Sequence, residues 1–254
     1  MKKLSYILII VLSFSSCDFF YKEKDKKTLN VIMRNSVLGY VEKDTITEGF
    51  QYEIVRAFAD SFGYQLNIIT YENLENSIKQ INSNKADILA YALPTTLSMK
   101  QKLEFSVPLY TTKLVLVQKK RDKKEKKFLA KNISDLEEKT IYVSENSLYI
   151  KQLEYIIEDS GIQFRIAKRK QSIEKLAEQV ANGKIEYFAT NSLIAQYLSS
   201  INNEIDYSMP LGLSQFMAWG INKKNQKINE QLNLFLENFV KTEKYREIYR
   251  KYFS

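Results

Sequence analysis

Short apolar runs alternate with amphipathic helical repeats along most of this chain, and that alternation constrains the fold more than any other feature. Three runs with strand character, Leu29–Met33, Gln65–Thr70 and Ala86–Ala90, are separated by residues 50–62 and 72–82. Both separating segments repeat apolar residues every three or four positions, as one face of a helix does. Strands and helices in this order, with short connections, predict parallel crossovers in an α/β sheet.

The same alternation returns in the second half of the chain. Runs with strand character cover residues 140–144, 163–167 and 185–189, and helical repeats cover 148–159, 172–182, 191–198, 225–240 and 241–252. Two further segments, residues 112–118 and 210–222, are apolar and extended and would connect the two halves. The predicted fold class is therefore an α/β, two-lobed clamshell with two crossing hinge strands. Its first lobe comprises residues 28–110 plus 215–254, and its second comprises residues 111–214.

A clamshell of this kind places its ligand between the lobes, at the carboxyl ends of the strands. Residues 86–110 contain a strand, a polar turn and an extended Phe-Ser-Val-Pro segment, and they are predicted to form one wall of that cleft and one crossing. Hinge motion is expected where the chain passes between the lobes. The predicted hinge residues are Tyr110, Thr111, Thr112, Leu213, Ser214 and Gln215.

The first 27 residues have the pattern of an export signal followed by a tether. Met1-Lys2-Lys3 is basic, and the following apolar run is far shorter than the roughly 20 residues that span a bilayer. The run ends in Phe14-Ser15-Ser16-Cys17, which resembles the lipobox of bacterial lipoproteins. Residues 1–17 therefore predict a lipoprotein signal peptide with Cys17 as the lipidated residue, and the polar residues 18–27 a tether. The alternative is an ordinary signal peptide with a chance cysteine.

Composition excludes several kinds of chemistry. The chain has no histidine and one cysteine, and it lacks the glycine-rich loops that hold phosphates, so we expect no metal and no cofactor. An exported protein is not expected to bind nucleic acid, although the net charge is +8. Residues 119–127, with seven basic and two acidic side chains, form a basic run that could attract anionic lipid or wall polymer. The same run is also typical of a solvated loop.

A family resemblance extends over residues 28–254, without a single decisive motif. It is carried by the stretches GFQYEIVRAFADSFG, LEFSVPLY, ANGKIEYFATN and YREIYRKYF. These stretches resemble the family 3 extracellular solute-binding proteins, which implies the type II periplasmic-binding fold and delivery of amino acids or related polar solutes to ABC transporters. Arg34-Asn35-Ser36 and the overall spacing are most similar to the non-catalytic amino-terminal domain of the membrane-bound lytic murein transglycosylases F. Their catalytic domain would follow Phe253, so we expect no transglycosylase activity.

The resemblance also identifies binding positions, and several have unusual occupants. Met99 stands where the family has an arginine that grips the ligand carboxylate, Pro94 where it has an assisting threonine, and Asn191 where an aspartate receives the ammonium group. An alignment shift would leave only Lys100 or Lys102 for the arginine's role. A desolvated carboxylate without a charged partner costs several kcal/mol, so we predict that the cleft does not bind free α-amino acids tightly.

Residues 144–147 stand where the family has a Ser-Gly-x-Gly loop. Aromatic residues Tyr40, Tyr91 and Trp219 are further candidates to line the cleft, although Trp219 could equally be a core residue. The predicted ligand-binding residues are Asn35, Tyr40, Tyr91, Ala92, Pro94, Met99, Ser144, Glu145, Asn146, Ser147 and Asn191.

Three hypotheses for function follow from this reading. The first is a monomeric, lipid-anchored, non-catalytic protein that closes on a small polar solute, such as a peptide, a wall fragment or an atypical amino-acid-like ligand, for an ABC permease. The second is a sensory or regulatory module that acts on a cell-wall enzyme. The third, an enzyme of the dehydratase kind, would need Glu145 as a general base, and a single carboxylate is weak evidence for that role.

Overall fold

The computed structural model describes residues 27–44, 46–71, 73–120 and 129–253. The predicted signal peptide, Cys17 and most of the basic run lie outside these residues. The described part contains thirteen strands and eight helices. In chain order they are β1 (Thr28–Met33), β2 (Val41–Lys43), β3 (Ile46–Glu48), α1 (Phe50–Phe62), β4 (Gln65–Thr70), α2 (Leu74–Asn82), β5 (Ile88–Pro94), α3 (Leu97–Lys100), β6 (Glu104–Phe105), β7 (Tyr110–Thr112), β8 (Leu114–Lys119), β9 (Thr140–Ser144), α4 (Ile150–Ser160), β10 (Arg165–Arg169), α5 (Ile173–Ala181), β11 (Tyr187–Asn191), α6 (Ser192–Ile201), β12 (Ile205–Pro210), β13 (Gln215–Ile221), α7 (Gln226–Phe239) and α8 (Glu243–Phe253).

The first lobe is built on a sheet with the strand order β4-β1-β5-β13-β6, and β7 also pairs with β13. Strands β4, β1 and β5 are parallel, as the alternation of strands and helices predicted. Strand β13 returns from the second lobe and runs antiparallel to β5. Helices α1 and α2 lie in the crossovers between the parallel strands, and α7 and α8 complete the lobe.

The second lobe is built on a sheet with the order β10-β9-β11-β8-β12. Strands β10, β9 and β11 are parallel, and β8 runs antiparallel to both β11 and β12. A 3₁₀ turn at Ile133–Leu136 precedes β9. Because both sheets contain a parallel β-α-β core, their strands end at edges that can face each other across a cleft.

Apolar residues cover both faces of each sheet. On one face of the first sheet, Phe58 of α1 and Trp219 of β13 belong to a buried cluster that also includes residues of α7 and α8. On the other face, Ile32 and Leu89 pack with Ile81 of α2. Burying a side chain of this size stabilises the fold by about 1.5–3 kcal/mol. Trp219 is fully buried, so the alternative prediction, that it is a core residue, is correct.

The two connections between the lobes lie side by side. The chain leaves the first sheet after β7 and enters β8 one residue later, and it returns through residues 211–214 between β12 and β13. Strand β7 pairs antiparallel with the start of β13, with Thr112 opposite Gln215 and Tyr110 opposite Met217. The predicted hinge residues therefore adjoin one paired ladder, while hinge motion itself stays a prediction.

The predicted fold class is confirmed, and the predicted elements differ from the observed ones by small shifts. Strands β10 and β11 each begin two residues later than expected. Asn191 ends β11 and caps α6, although the sequence placed it inside the helix. The predicted second crossing strand, residues 210–222, is divided, because residues 211–214 belong to no strand. Among the described residues, no helix combines the length and apolar character needed to cross a membrane.

Candidate functional site

A cavity of about 160 Å³ lies between the two lobes, and we call it the inner cavity. The first lobe contributes polar side chains from Arg34, Gln51 and Tyr110, and the second contributes Tyr149 and Asn191. Most of the remaining wall is apolar.

Strand ends explain why these residues meet. Arg34 follows the last residue of β1, Tyr91 and Ala92 lie in the second half of β5, Ser144 ends β9 and Asn191 ends β11. All four strands are parallel members of their sheets, so their carboxyl ends lie at one edge of each sheet. The cleft is formed where these two edges face each other.

Arg34 is the one charged residue among the described residues that line the inner cavity. Its Nη2 donates to the backbone oxygen of Asn146, 3.5 Å away in the other lobe. Its Cζ lies 5.1 Å from the centre of the Tyr91 ring, in the range of a cation–π contact. Its Nε is buried and has no hydrogen-bond partner. The guanidinium of this cavity-lining residue therefore keeps at least one unused donor.

Asn191 holds the start of α6 while facing the same cavity. Its Oδ1 accepts a hydrogen bond of 2.8 Å from the backbone N–H of Ile194. Its side chain also hydrogen-bonds Tyr149. Burial raises the pKa of Tyr149 to about 12, against the opposing effects of the Asn191 hydrogen bond and the Arg34 charge. Tyr149 is thus a neutral hydroxyl at physiological pH.

Gln51 and Tyr110 form the floor on the first-lobe side. Gln51 is buried, and its Oε1 accepts a hydrogen bond from Trp219 Nε1. Burial raises the pKa of Tyr110, and a hydrogen bond with Gln51 acts in the opposite direction. These contacts fix the orientation of the Gln51 amide, because its oxygen is committed to the core tryptophan.

A second cavity of about 680 Å³, here called the outer cavity, adjoins the inner one. Residues 146–148 line both, so the two form one continuous cleft. Gln152 and Gln215 each present a buried Oε1 that has no hydrogen-bond partner. The charged side chains along the outer cavity are Glu75, Lys102, Lys151, Glu154 and Lys168.

The predicted binding residues divide between these two cavities. Tyr91, Ala92, Ser144 and Asn191 line the inner cavity, as does the predicted hinge residue Tyr110. Pro94, Met99 and the hinge residue Gln215 line the outer cavity, and Asn146 and Ser147 line both. Met99, at the family's arginine position, is therefore in a different cavity from Arg34.

Three predicted binding residues line neither cavity. Asn35 is exposed and forms an isolated bridge with Tyr40. The Tyr40 ring packs edge-on against Tyr52, and its hydroxyl donates to Glu42 over 2.9 Å. Glu145 is exposed in the turn after β9, where its backbone N–H donates to the backbone oxygen of Arg169. Four predicted hinge residues, Thr111, Thr112, Leu213 and Ser214, also lie outside both cavities.

Sequence reasoning missed several residues that line the inner cavity. Arg34 could have been found, because it directly follows a parallel strand of the predicted sheet. Gln51, Tyr149 and Phe253 had no comparable signal. Phe253 comes from the end of the last helix and reaches the cavity only through the packing of α8 against α1 and α6.

Comparison with known proteins supports both the fold and its family. A family model described as bacterial extracellular solute-binding proteins, family 3, matches residues 29–254. Membrane-bound lytic murein transglycosylase F of Desulfosudis oleivorans is 23% identical over 240 residues, covering 94% of this chain and 51% of that protein. The protein of the same name from Pseudomonas fluorescens is 28% identical over 236 residues, covering 91% of this chain and 47% of that protein. The chain thus spans about half the length of these relatives.

A solved structure, an ancestral arginine-binding protein bound to arginine, is also similar. It superimposes with a TM-score of 0.72 at 20% identity, covering 90% of this chain and 99% of that chain. At this identity the likeness shows the fold alone. The family match extends over almost the whole described chain and agrees with the two-lobed architecture. The chain therefore belongs to the bacterial extracellular solute-binding proteins of family 3.

Proposed function

We propose that this protein is a lipid-anchored extracytoplasmic receptor that closes its two lobes on a small solute carrying a negative charge. One observation carries the proposal: Arg34 lies in a cavity built by both lobes and keeps a buried donor without a partner. An acidic group on a ligand would supply the missing acceptor, and a carboxylate can match an arginine with two hydrogen bonds.

The position of Arg34 also supports a coupling between binding and closure. Its contact with the Asn146 backbone crosses the cleft, and the cavity wall includes residues of both lobes. A solute held between them makes more contacts in the closed state than in the open state. Such a difference in contacts is what shifts the population toward closure.

Free α-amino acids remain an unfavoured ligand class in this proposal. Met99 and Pro94 supply no charge in the outer cavity, and Asn191 is a neutral amide in the inner one. Arg34 could bind a carboxylate, but no described residue of the inner cavity could form an ion pair with the neighbouring ammonium group.

Binding is tested first, with a thermal-shift screen of the purified protein. The compounds are the common amino acids, dipeptides, N-acetyl amino acids and simple carboxylates. We expect at least one anionic compound to raise the melting temperature, since a ligand that binds only the folded state stabilises it. Arg34→Gln should abolish the shift, whereas Arg56→Gln should leave it intact. Arg56 is the matched control because it forms an exposed ion pair with Asp60, outside both cavities. The receptor proposal fails if no compound stabilises the protein.

Membrane anchoring through Cys17 is a separate part of the proposal, and it rests on the sequence pattern around that residue. The expected result is that the protein expressed in a bacterial host sediments with membranes and that Cys17→Ala is released in soluble form. An unchanged distribution of the Cys17→Ala variant would argue against the anchor.

Delivery to an ABC permease is the leading downstream role, and a regulatory role toward a cell-wall enzyme is the second candidate. The second is favoured by the similarity to proteins named lytic murein transglycosylases, of which this chain matches about half. Uptake of the best-stabilising compound by cells with and without the gene separates the two. Loss of uptake supports transport, and unchanged uptake supports the regulatory role.

A further inference from the structure

Three buried side-chain atoms in the described part of the chain lack a hydrogen-bond partner, and all three belong to residues that line the cleft. Arg34 Nε is a donor on a residue that lines the inner cavity, while Gln152 Oε1 and Gln215 Oε1 are acceptors on residues that line the outer cavity. Buried polar atoms are nearly always paired in folded proteins, because an unpaired one has lost its hydration without compensation. Their shared location points to a ligand that supplies the complementary groups.

The complementary groups can be stated from the chemistry of each atom. Arg34 requires an acceptor, and its charge favours an anionic one. A glutamine Oε1 requires a donor such as an N–H group. The ligand therefore carries an acidic group at one end and N–H donors toward the other.

The inner cavity also discriminates against a positive charge beside the acidic group. Arg34 is the only charged group among its described lining residues, and it is a cation. Asn191, the residue at the family's ammonium-binding position, already uses its Oδ1 to cap α6. An ammonium group next to the bound anion would thus lose water and gain no carboxylate partner.

The walls of the inner cavity determine the size and polarity of the ligand group that lies next to the acidic group. Phe188, Leu193, Ile194 and Phe253 contribute apolar surface, and the volume is about 160 Å³. An apolar cavity of about 150 Å³ in another protein takes up benzene. One aromatic ring or a branched aliphatic side chain therefore matches the available space.

We infer that the cleft binds a carboxylate whose α-nitrogen is acylated and whose side chain is apolar. This chemistry occurs in an N-acyl amino acid and in the carboxyl-terminal residue of a short peptide. The carboxylate pairs with Arg34, the side chain fills the inner cavity, and the acylated nitrogen and any further amide groups pass residues 146–148 toward Gln152 and Gln215. This inference rests on the proposed receptor function and names its ligand class.

Four related compounds test the inference by isothermal titration calorimetry on the full chain. They are L-phenylalanine, N-acetyl-L-phenylalanine, glycyl-L-phenylalanine and N-acetyl-L-phenylalanine amide. We expect the acetylated acid, the dipeptide or both to bind roughly tenfold or more tightly than phenylalanine, which has the ammonium group, and than the amide, which lacks the carboxylate. Tighter binding of the dipeptide would identify peptides as the source, and tighter binding of the acetylated acid would identify N-acyl amino acids.

The outcomes separate this inference from the receptor function itself. If phenylalanine binds as tightly as both acylated compounds, or if the amide does, the inferred ligand class is wrong. The same holds if none of the four binds while another compound stabilises the protein in the thermal-shift screen, and the receptor function then stands. Absence of binding by every compound in both experiments overturns the receptor function as well.

Variants of the outer cavity test its separate contribution. Gln215→Met and Gln152→Met remove one acceptor each with little change in side-chain length. Each should weaken glycyl-L-phenylalanine binding roughly fivefold, the loss of about one hydrogen bond. Gln163→Met is the matched control, because Gln163 is exposed and lines neither cavity. Unchanged affinity in both cavity variants would overturn the assignment of the outer cavity.

Discussion

Arg34 and Met99 lie in different cavities of the cleft, and only Arg34 carries a charge. Met99 lies in α3, at the family's usual arginine position, and its side chain lines the outer cavity. Arg34 instead follows β1 and lines the inner cavity, where it contacts the Tyr91 ring. The cation of the inner cavity therefore comes from the end of a strand.

Asn191→Asp tests at residue scale whether the charge in the inner cavity selects the ligand. Asp caps a helix as well as Asn, so the substitution should keep the hydrogen bond that begins α6. The added negative charge should weaken N-acetyl-L-phenylalanine binding roughly tenfold and narrow its advantage over phenylalanine, as calorimetry can measure.

Ser172→Asp provides the matched control for that substitution. Ser172 caps α5 in the same lobe by accepting a hydrogen bond from the Lys175 backbone, but it is exposed and lines neither cavity. It should leave the affinity unchanged. An equal loss of affinity in the two variants would show that the added charge acts through the net charge of the protein and not within the cavity.

At the scale of elements, the sequence contained most of the information that specifies the strands and helices. Apolar periodicity indicated α1 and α2. Gly63 and Gly161 directly follow α1 and α4 in the left-handed conformation, which glycine adopts readily. Periodicity reports only which face of an element is buried. It could not show that the end of α8 reaches the inner cavity, since that depends on packing between elements distant in the chain.

The start of α1 depends on Gly49, whose φ of +145° is unfavourable for other residues. Its N–H donates to the Tyr252 hydroxyl over 2.8 Å, and an added methyl group would lie 2.1 Å from the backbone oxygen of Gly39. Gly49→Ala should therefore lower the free energy of unfolding by about 3 kcal/mol or more in urea denaturation.

Gly161→Ala is the comparison for that loss. Gly161 also has a positive φ, +71°, but a methyl group there would meet no atom within 4 Å. The expected loss is about 1–2 kcal/mol, the cost of the backbone conformation alone. Similar losses for the two variants would exclude the close approach of Gly39 as the cause of the larger effect.

At the scale of the whole molecule, four buried tyrosines make stability sensitive to alkaline pH. Burial is the main cause that raises the pKa of Tyr149, Tyr187, Tyr245 and Tyr252 to about 12 in each case. The unfolded pKa is about 10, so the stabilisation is fully present below pH 10 and is lost as the pH rises toward 12. Each of these tyrosines should lower the free energy of unfolding by about 1 kcal/mol when the pH is raised from 9 to 11.

Urea denaturation at pH 9 and pH 11 measures this loss, and Tyr187→Phe should reduce it by about 1 kcal/mol. Tyr155→Phe is the control, because Tyr155 is 62% exposed and its replacement should leave the pH dependence unchanged. A free energy of unfolding that is equal at the two pH values would contradict the expected effect of the buried hydroxyls.

The two crossings are predicted to act as the hinge between the lobes. Lys113 alone separates β7 from β8, and four residues separate β12 from β13, of which Leu213 is 88% exposed. Because the crossings lie together beside one ladder, rotation about them would open or close the cleft without disturbing either sheet. Addition of the best-stabilising compound should therefore lower the radius of gyration of the wild-type protein, as measured by small-angle X-ray scattering. The Arg34→Gln variant at the same compound concentration should keep the radius of the compound-free protein, since the substitution removes the main contact to the ligand. A wild-type radius that does not change at saturation would contradict closure and leave binding to a cleft of fixed width.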